Sequence, residues 1–215
     1  GLRYFRSVRT TGLNENTVVA LFSARPLNTG TSYMKMWMPA SSDVSYFTAL
    51  APGAKTASSP YQNKPSLVVT MRKEKPAVKE PFVAVYEPIS DKVSAGLIES
   101  VDRVKLDPQG EEGCAIKVNT KEGDTFTLVN ILKDGPVILN NQKCCGDFAI
   151  FAKRKGKNSV YVGNGSFVEN KEFKVESENR GSFYMEYDQT SLLVRSNCPI
   201  KIQAKNGMLK EPFYL

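Results

Sequence analysis

The sequence predicts an all-β fold: an antiparallel, supersandwich-like β-sandwich with a smaller sheet region at its C-terminus. Short segments rich in β-branched and aromatic residues follow one another along almost the whole chain of 215 residues. Turn residues separate these segments at the spacing of about 8–12 residues that is typical of sandwiches. No segment shows the hydrophobic period of a convincing amphipathic helix.

The first six predicted strands are alternating or continuous apolar runs that end at small or polar residues. They are Arg3–Thr10, Thr17–Arg25, Ser32–Met38, Val44–Ala51, Ser66–Arg72 and Phe82–Glu87. The turn Asn28-Thr29-Gly30 precedes the third strand, and a loop of small residues over 51–60 follows the fourth. The fifth and sixth are apolar on both faces, which indicates strands covered on each side. The charged segment Lys73–Lys79 between them predicts a hairpin tip.

Nine further strands complete a pattern of about fifteen. They are Leu97–Leu106, Cys114–Asn119, Thr125–Leu132, Phe148–Lys153, Val160–Gly163, Phe173–Glu176, Ser182–Asp188, Leu192–Ser196 and Ile200–Ala204. Hairpin-type turns are expected at Lys121–Asp124 and Lys133–Pro136. The strands become shorter and the polar turns denser near residues 134–147. We therefore expect a larger sandwich over 1–140 and a smaller sheet region over 141–215 packed on it.

The charge of the chain favours an anionic partner. The sequence has 29 Lys and Arg against 22 Asp and Glu, a net charge of +7. A basic protein attracts nucleic acid, an anionic membrane or an acidic polysaccharide, and charge alone does not choose among them. No RNA-binding or zinc-knuckle motif accompanies the charge, so we expect no nucleic acid as partner. No apolar run is long enough to predict a membrane span.

The absence of histidine excludes several kinds of catalysis. With no His in the chain, Ser-His-Asp and Cys-His nucleophiles and the usual catalytic zinc sites are impossible. The four cysteines, Cys114, Cys144, Cys145 and Cys198, lack metal-ligand spacing, so we expect no metal site and no cofactor. Buried free thiols are favoured over a disulfide framework, because a chain of this length needs no covalent cross-links.

One candidate binding row lies on the third predicted strand. Its alternation places Met34, Met36 and Met38 on one face and Tyr33, Lys35 and Trp37 on the other. The methionine face is expected in the core. A row of two aromatic rings and a cation is suited to a glycan, because sugar C–H faces stack on rings and Lys meets anions. The same row is also what a second covering layer would require.

A basic cluster is the second candidate. Lys153, Arg154 and Lys155 lie between two predicted strands, so their charges crowd at a hairpin tip where they could hold sulfate or carboxylate groups. The alternative is a solvated turn that resists aggregation.

The order of several segments resembles the C-terminal β-sandwich region of heparinase II/III-like bacterial polysaccharide lyases. The most specific is Pro81–Pro88, with the sequence PFVAVYEP after an apolar strand and a charged hairpin. The other matching segments are Tyr4–Arg9, Met36–Pro39, Ala49–Gly53 and Pro65–Arg72, followed more loosely by Gly146–Ala149, Val160–Gly163 and Ser182–Asp188.

The resemblance implies a role beside a catalytic domain. Such lyases cleave uronate-containing glycans by β-elimination, with Tyr, His and Asn or Arg supplied mainly by an N-terminal helical toroid. The sandwich forms the other wall of the cleft. Since this chain has neither the toroid nor a histidine, no catalytic residue is carried over. Its first residue is Gly rather than Met, which fits a piece of a longer protein.

The sequence therefore predicts a non-catalytic module of a secreted, periplasmic or cell-surface bacterial protein. Its expected partners are an acidic polysaccharide, uronate-containing or sulfated, and a helical domain of the same polypeptide. Two other interpretations remain open. The chain could be a stand-alone carbohydrate-binding or cell-surface adhesion module, or a catalytic fragment that uses Tyr with Lys or Arg.

Overall fold

The computed structural model describes residues 4–14, 16–24, 30–53, 65–74, 81–90, 96–107, 113–132, 135–205 and 213–214. These residues form seventeen strands and no α-helix, and all strand pairs are antiparallel. The all-β sandwich-like prediction is confirmed. No helix in these ranges has the length and hydrophobicity that a membrane span needs. The chain divides into two compact units, one over 1–77 with 82–90 and one over 78–81 with 91–215.

The first unit contains two sheets of three strands each. One has the order β1-β4-β5 and the other β2-β3-β6. The six strands are β1 (Arg6–Asn14), β2 (Val18–Ala24), β3 (Ser32–Met38), β4 (Ser41–Ala51), β5 (Ser66–Lys73) and β6 (Val85–Ile89).

The core of the first unit forms where these two sheets face each other. Met36 and Met38 of β3 pack with Val44 and Tyr46 of β4, and all four are buried. The predicted methionine face is therefore in the core at two of its three positions. Met34, nearer the start of β3, is 37% exposed. Full burial of a side chain such as Met38 contributes about 2 kcal/mol.

The prediction that the fifth and sixth strands are covered central strands joined by a hairpin is wrong. In the described ranges β5 pairs only with β4, and β6 pairs only with β3. The two strands therefore lie in different sheets, and each ends the order of its own sheet. Residues 75–80, most of the expected hairpin tip, lie outside the described part, as do 54–64 of the small-residue loop. The two strands are not covered on both sides either: Leu67 of β5 is 56% exposed and Tyr86 of β6 is 59% exposed. Apolar residues on both faces therefore did not indicate burial here.

The second unit contains one sheet of eleven strands. Its main order is β17-β16-β14-β13-β12-β9-β8-β7, with β15 added beside β14 and β10-β11 beside β13. The strands are β7 (Ile98–Val104), β8 (Gly113–Thr120), β9 (Thr125–Ile131), β10 (Val137–Leu139), β11 (Gln142–Cys145), β12 (Phe148–Arg154), β13 (Lys157–Glu169), β14 (Phe173–Tyr187), β15 (Leu192–Ser196), β16 (Lys201–Ala204) and β17 (Phe213–Tyr214).

Two long strands bend this sheet until it is nearly closed. The first half of β13 pairs with β12 and its last three residues pair with β11. The two halves of β14 likewise pair with β16 and with β15. The bend lies where Gly165 faces Gly181 across an irregular register. A Cβ at Gly165 would lie 2.3 Å from the backbone oxygen of Cys145, so only glycine permits this approach of the chains.

The nearly closed sheet encloses the second core, which contains strands from both sides of residue 140. Val137 and Leu139 of β10 and Cys144 of β11 are buried in the same cluster as Phe183 of β14. Asn140 forms the turn of the β10–β11 hairpin, at positive φ. The sequence-based division at 140 therefore falls on a hairpin inside this core.

The two divisions of the chain predict different proteolytic fragments. We expect limited digestion of the full chain with proteinase K, which has broad specificity, to leave a resistant fragment that contains all of 96–205, identified by mass spectrometry. Cleavage at residue 140 would separate two strands whose side chains share one core, and it should occur only after global unfolding. A resistant fragment beginning near residue 141 would instead support the boundary proposed from the sequence.

Candidate functional site

The predicted row on β3 lies on the face of its sheet opposite the methionine core. Tyr33, Lys35 and Trp37 are all partly exposed. Trp37 Nε1 donates a hydrogen bond of 2.9 Å to Oε2 of Glu87, which is 6% exposed. Lys35 lies directly across from Glu87 in the strand register. The indole therefore has a fixed orientation, and its polar edge is occupied by Glu87.

Two apolar side chains extend this row into a surface. Val19 and Leu21 of β2 pair with Trp37 and Lys35, which places them on the same face. They are 45% and 42% exposed. We call these five residues the Trp37 face: Val19, Leu21, Tyr33, Lys35 and Trp37. Its mixture of rings, aliphatic groups and one cation suits either a stacked sugar or a covering layer, as the sequence predicted.

The basic hairpin has a structural role that the sequence did not indicate. Lys153, Arg154 and Lys155 are exposed at the β12–β13 turn. Arg154 Nε lies 3.3 Å from Oδ2 of Asp124, and the backbone N–H of Lys155 donates to Oδ1 of the same carboxylate at 3.2 Å. The guanidinium also lies 5.8 Å from the ring centroid of Phe126. Arg154 therefore joins two hairpin turns, while a glycan-binding role for the cluster stays a prediction.

A second basic surface was not predicted. Lys143, Lys174 and Lys205 surround the carboxylate of Glu169 on the outside of the second unit. Hydrogen bonding from Lys205 is the first cause of the lowered pKa of Glu169, and the charges of Lys205, Lys174 and Lys143 lower it further. The ammonium groups of Lys143 and Lys174 lie 5.5 and 5.8 Å from the ring centroid of Phe167. The ring of Phe167 therefore makes cation–π contacts with two lysines.

The strand register adds a fourth lysine and a second glutamate to this surface. Phe167 pairs with Glu176, which pairs with Lys201. Glu176 also accepts an ion pair of 2.6 Å from Lys174. Four lysines against two glutamates leave an excess of two positive charges. We call this surface the lysine face: Lys143, Phe167, Glu169, Lys174, Glu176, Lys201 and Lys205.

The lysine face could not be found by reading along the chain. Its lysines come from β11, β14, β16 and the residue after β16, and β13 supplies Phe167 and Glu169. No predicted strand includes Lys143 or Phe167, because the first follows turn residues and the second follows Gly163-Asn164-Gly165. The available signal was the alternation of Lys174 and Glu176 with buried Phe173 and Val175, which marks one outward face.

A cavity in the second unit contains a tyrosine that is poorly suited to act as a base. The cavity has a volume of about 340 Å³, and its lining includes Glu172, Tyr187 and Ile202. The Tyr187 hydroxyl donates to Glu172 at 2.9 Å and accepts from the side-chain amide of Asn170 at 3.1 Å. Burial, followed by the interaction with Glu172, raises the pKa of Tyr187. Its phenol therefore stays protonated at neutral pH.

The remaining titratable groups show no catalytic arrangement in the described ranges. Burial also raises the pKa of Tyr184, with a further contribution from its hydrogen bond to Glu186. No cluster of His, Cys, Asp and Glu suited to a metal occurs among those residues. The four cysteines are free, as the sequence favours, and burial raises the pKa of the Cys144 thiol to about 12. That thiol is unreactive at neutral pH.

Comparison with known proteins finds similarity to one kind of enzyme. The chain is 29% identical over 192 residues to the endo-acting ulvan lyase of Formosa agariphila, an alignment that covers 86% of this chain and 22% of that protein. No protein-family description matches the chain. No solved structure matches it either. The chain spans about a fifth of the length of this relative, and it is similar to part of a polysaccharide lyase.

Proposed function

We propose that this chain is the non-catalytic, C-terminal β-sandwich part of a polysaccharide lyase of the heparinase II/III-like kind. It would pack on a helical catalytic domain and form one wall of a cleft for an acidic, uronate-containing glycan. The similarity to part of an ulvan lyase carries this proposal. Because polysaccharides of this kind lie outside the cell, we place the protein in the periplasm, at the cell surface or in the medium.

The chemistry of elimination supports a non-catalytic role. Removal of a proton next to a uronate carboxylate requires a base whose pKa lies near the working pH. The chain has no histidine, and the pKa values of Tyr184 and Tyr187 are raised, not lowered. Neither of these two tyrosines is suited to act as that base, which supports a base supplied by another part of the protein.

The surface charges support an acidic glycan. The lysine face has an excess of two positive charges, and a polyanion gains most where several cations lie together. The Trp37 face offers flat rings on which the C–H face of a sugar stacks. The exposed ammonium groups of Lys153 and Lys155 are a third place at which sulfate or carboxylate groups would bind.

The binding prediction is tested with ulvan, heparin and alginate, with starch as a neutral control. We expect wild-type protein to bind at least one acidic glycan, more weakly as salt is raised, because screening grows with ionic strength. The double change Lys143→Glu and Lys174→Glu should weaken binding about tenfold. Lys105→Glu with Lys121→Glu makes the same change in net charge at exposed residues of this unit outside the lysine face, and it should have little effect. Isothermal titration calorimetry measures the affinity of each variant for all four glycans.

Two variants of Trp37 test the Trp37 face in the same assay. Trp37→Ala removes the ring and should weaken binding, whereas Trp37→Phe keeps a ring, loses only the hydrogen bond to Glu87 and should retain most of the affinity.

Three results would contradict the proposed role. Unsaturated-uronate absorbance produced by this chain alone would show that it is catalytic. Equal binding of starch and acidic glycans would exclude the proposed ligand class. Tight binding that is unchanged by addition of a helical lyase domain would favour the stand-alone binding or adhesion module.

A further inference from the structure

A flat aromatic surface lies on the outside of the second unit, away from the lysine face. Phe148 of β12 is 41% exposed, and its ring centroid lies 5.4 Å from that of Tyr161 on β13. The ring covers the backbone of Gly163, where an added Cβ would lie 2.2 Å from Cε1 of Phe148. Leu128 and Ile150 share this face by register. The glycine thus lets the ring lie flat against the sheet and leaves its other side open.

A polar network is built on the residues that adjoin Phe148 and Gly163 in the chain. Asp147 precedes Phe148, and Asn164 follows Gly163. Asp147 accepts a bond of 2.6 Å from Nη2 of Arg180 and one of 2.7 Å from Nδ2 of Asn164. Arg180 Nε in turn donates to the backbone oxygen of Asn164 at 2.9 Å. Asp147 therefore holds the side chains of both Asn164 and Arg180, and Arg180 also bonds the backbone of Asn164.

Stability does not explain why this network exists. The side chains of Asp147 and Arg180 are 54% and 42% exposed, and an ion pair with that exposure contributes little to folding. Asn164 has a φ of 46°, a conformation that costs energy for a residue other than glycine. Exposed groups held rigidly, with backbone strain at one of them, are typical of binding sites.

The arrangement fits one sugar ring. The C–H face of a pyranose stacks on an aromatic face, and its hydroxyl groups both donate and accept hydrogen bonds. The Asp147 carboxylate is an acceptor and the Arg180 guanidinium a donor, so the network offers both kinds of group, and their fixed positions reduce the entropy lost on binding. Since Asp147 and Arg180 balance each other in charge, recognition here depends on hydroxyl groups and not on anionic groups.

We propose that Asp147, Phe148, Asn164 and Arg180 form a subsite for one pyranose ring of a polysaccharide. This inference rests on the proposed function, because it assigns a sugar position to the same glycan-binding protein. It differs from the lysine face in its expected response to salt: stacking and hydroxyl contacts persist when charges are screened.

Variants of Phe148 test the subsite in calorimetric titrations with the acidic glycan that wild type binds best, at about 0.05 and about 0.5 M NaCl. Phe148→Ala should weaken binding about three- to tenfold at both salt concentrations. Phe148→Tyr keeps the ring and should bind as wild type. Ile138→Ala shortens an apolar side chain that is also 41% exposed, and it should change nothing.

Phe148→Leu distinguishes a sugar from a protein partner. Leucine keeps the apolar surface that a docked protein domain would need but lacks the flat ring, so it should bind glycan as weakly as Phe148→Ala. Arg180→Lys keeps the charge, removes the planar guanidinium and should also weaken binding.

The outcomes separate this subsite from the proposed function. If wild type binds and Phe148→Ala binds equally well, the subsite is wrong and the lysine face still accounts for binding. Wild-type affinity in Phe148→Leu would show that apolar contact, not stacking, matters, and would overturn the sugar assignment. Failure of wild type to bind any acidic glycan would overturn both.

Discussion

Replacing Lys73 with methionine should lower the free energy of unfolding of the first unit by about 3–5 kcal/mol. Lys73 Nζ lies 3.1 Å from Oδ1 of Asp43, and the two side chains are only 2% and 5% exposed. The Ser41 hydroxyl donates a second bond to the same oxygen at 2.5 Å. Removing the ammonium group leaves a buried carboxylate without its counter-charge. Urea unfolding followed by fluorescence measures this, because the single tryptophan, Trp37, reports on this unit.

The effect should depend on pH in a defined direction. Burial by itself would raise the pKa of Asp43, but hydrogen bonds from Ser41 and Lys73 and the charge of Lys73 bring it below its usual value. The stabilisation is therefore complete above the pKa of the unfolded chain, about 3.9, and is lost as pH falls through the lower folded value. In Lys73→Met the hydrogen bond from Ser41 remains, but the hydrogen bond and the charge of Lys73 are lost. The pKa of Asp43 therefore rises, and acid relieves part of the cost in the variant. The difference in the free energy of unfolding between wild type and Lys73→Met should shrink as the pH falls from about 6 to about 3.

Two further variants define what the result means. Lys157→Met removes the cation from an ion pair with Glu186 whose side chains are 51% and 34% exposed, and it should cost less than about 1 kcal/mol. Calorimetric unfolding of the full chain measures this control, because the pair lies in the second unit. Lys73→Met combined with Asp43→Leu removes both charges and should recover much of the lost stability. A loss below about 1 kcal/mol in the single variant would show that the buried pair is not a major interaction.

Most strands could be predicted from the sequence because their alternation reports directly on burial. The methionine side of β3 and the apolar runs of β9 and β12 belong to this group. Strand β11, with the sequence QKCC, has no such pattern. It forms because β10 and β13 flank it and satisfy its backbone groups. Tertiary pairing of this kind leaves little trace in local sequence.

The proposed binding surfaces show the same limit. Only the row Tyr33, Lys35 and Trp37 of the Trp37 face was predicted, because these residues lie on one strand, two positions apart. The lysine face and the subsite at Phe148 each combine side chains from several strands, so their members are neighbours only after the sheet has formed. For Phe148 the sequence did carry a hint: residues 148–152 are all apolar, which requires one apolar face to lie outside the core.

The predicted end of the strand at Gly163 is also wrong. Gly163-Asn164-Gly165 resembles a turn, and the predicted strand ends at Gly163. In the structure the strand continues to Glu169, and the glycines permit close contact with neighbouring chains. Glycine indicates a turn and a close approach equally well, because both need the absence of a Cβ.

This interpretation predicts that Gly165→Ala will destabilise the second unit by about 3 kcal/mol or more, as in overpacked cores. The added methyl group would lie 2.3 Å from the backbone oxygen of Cys145 and 2.4 Å from Cγ1 of Val162. Val162 is fully buried, and the Cys145 oxygen is backbone, so neither moves without disturbing the bend of β13. Calorimetric unfolding of the full chain measures the loss as a lowered transition temperature for this unit.

Gly30→Ala is the matched control, because an added Cβ there would have no atom within 4 Å. It should leave both transitions within about 0.5 kcal/mol of wild type. Wild-type stability in Gly165→Ala would mean that β13 bends without the close approach to β11.

The nearly closed sheet holds both the lysine face and the proposed Phe148 subsite on strands that pass through this bend. Loss of stability in Gly165→Ala should therefore be accompanied by weaker glycan binding at temperatures where Gly30→Ala still binds fully.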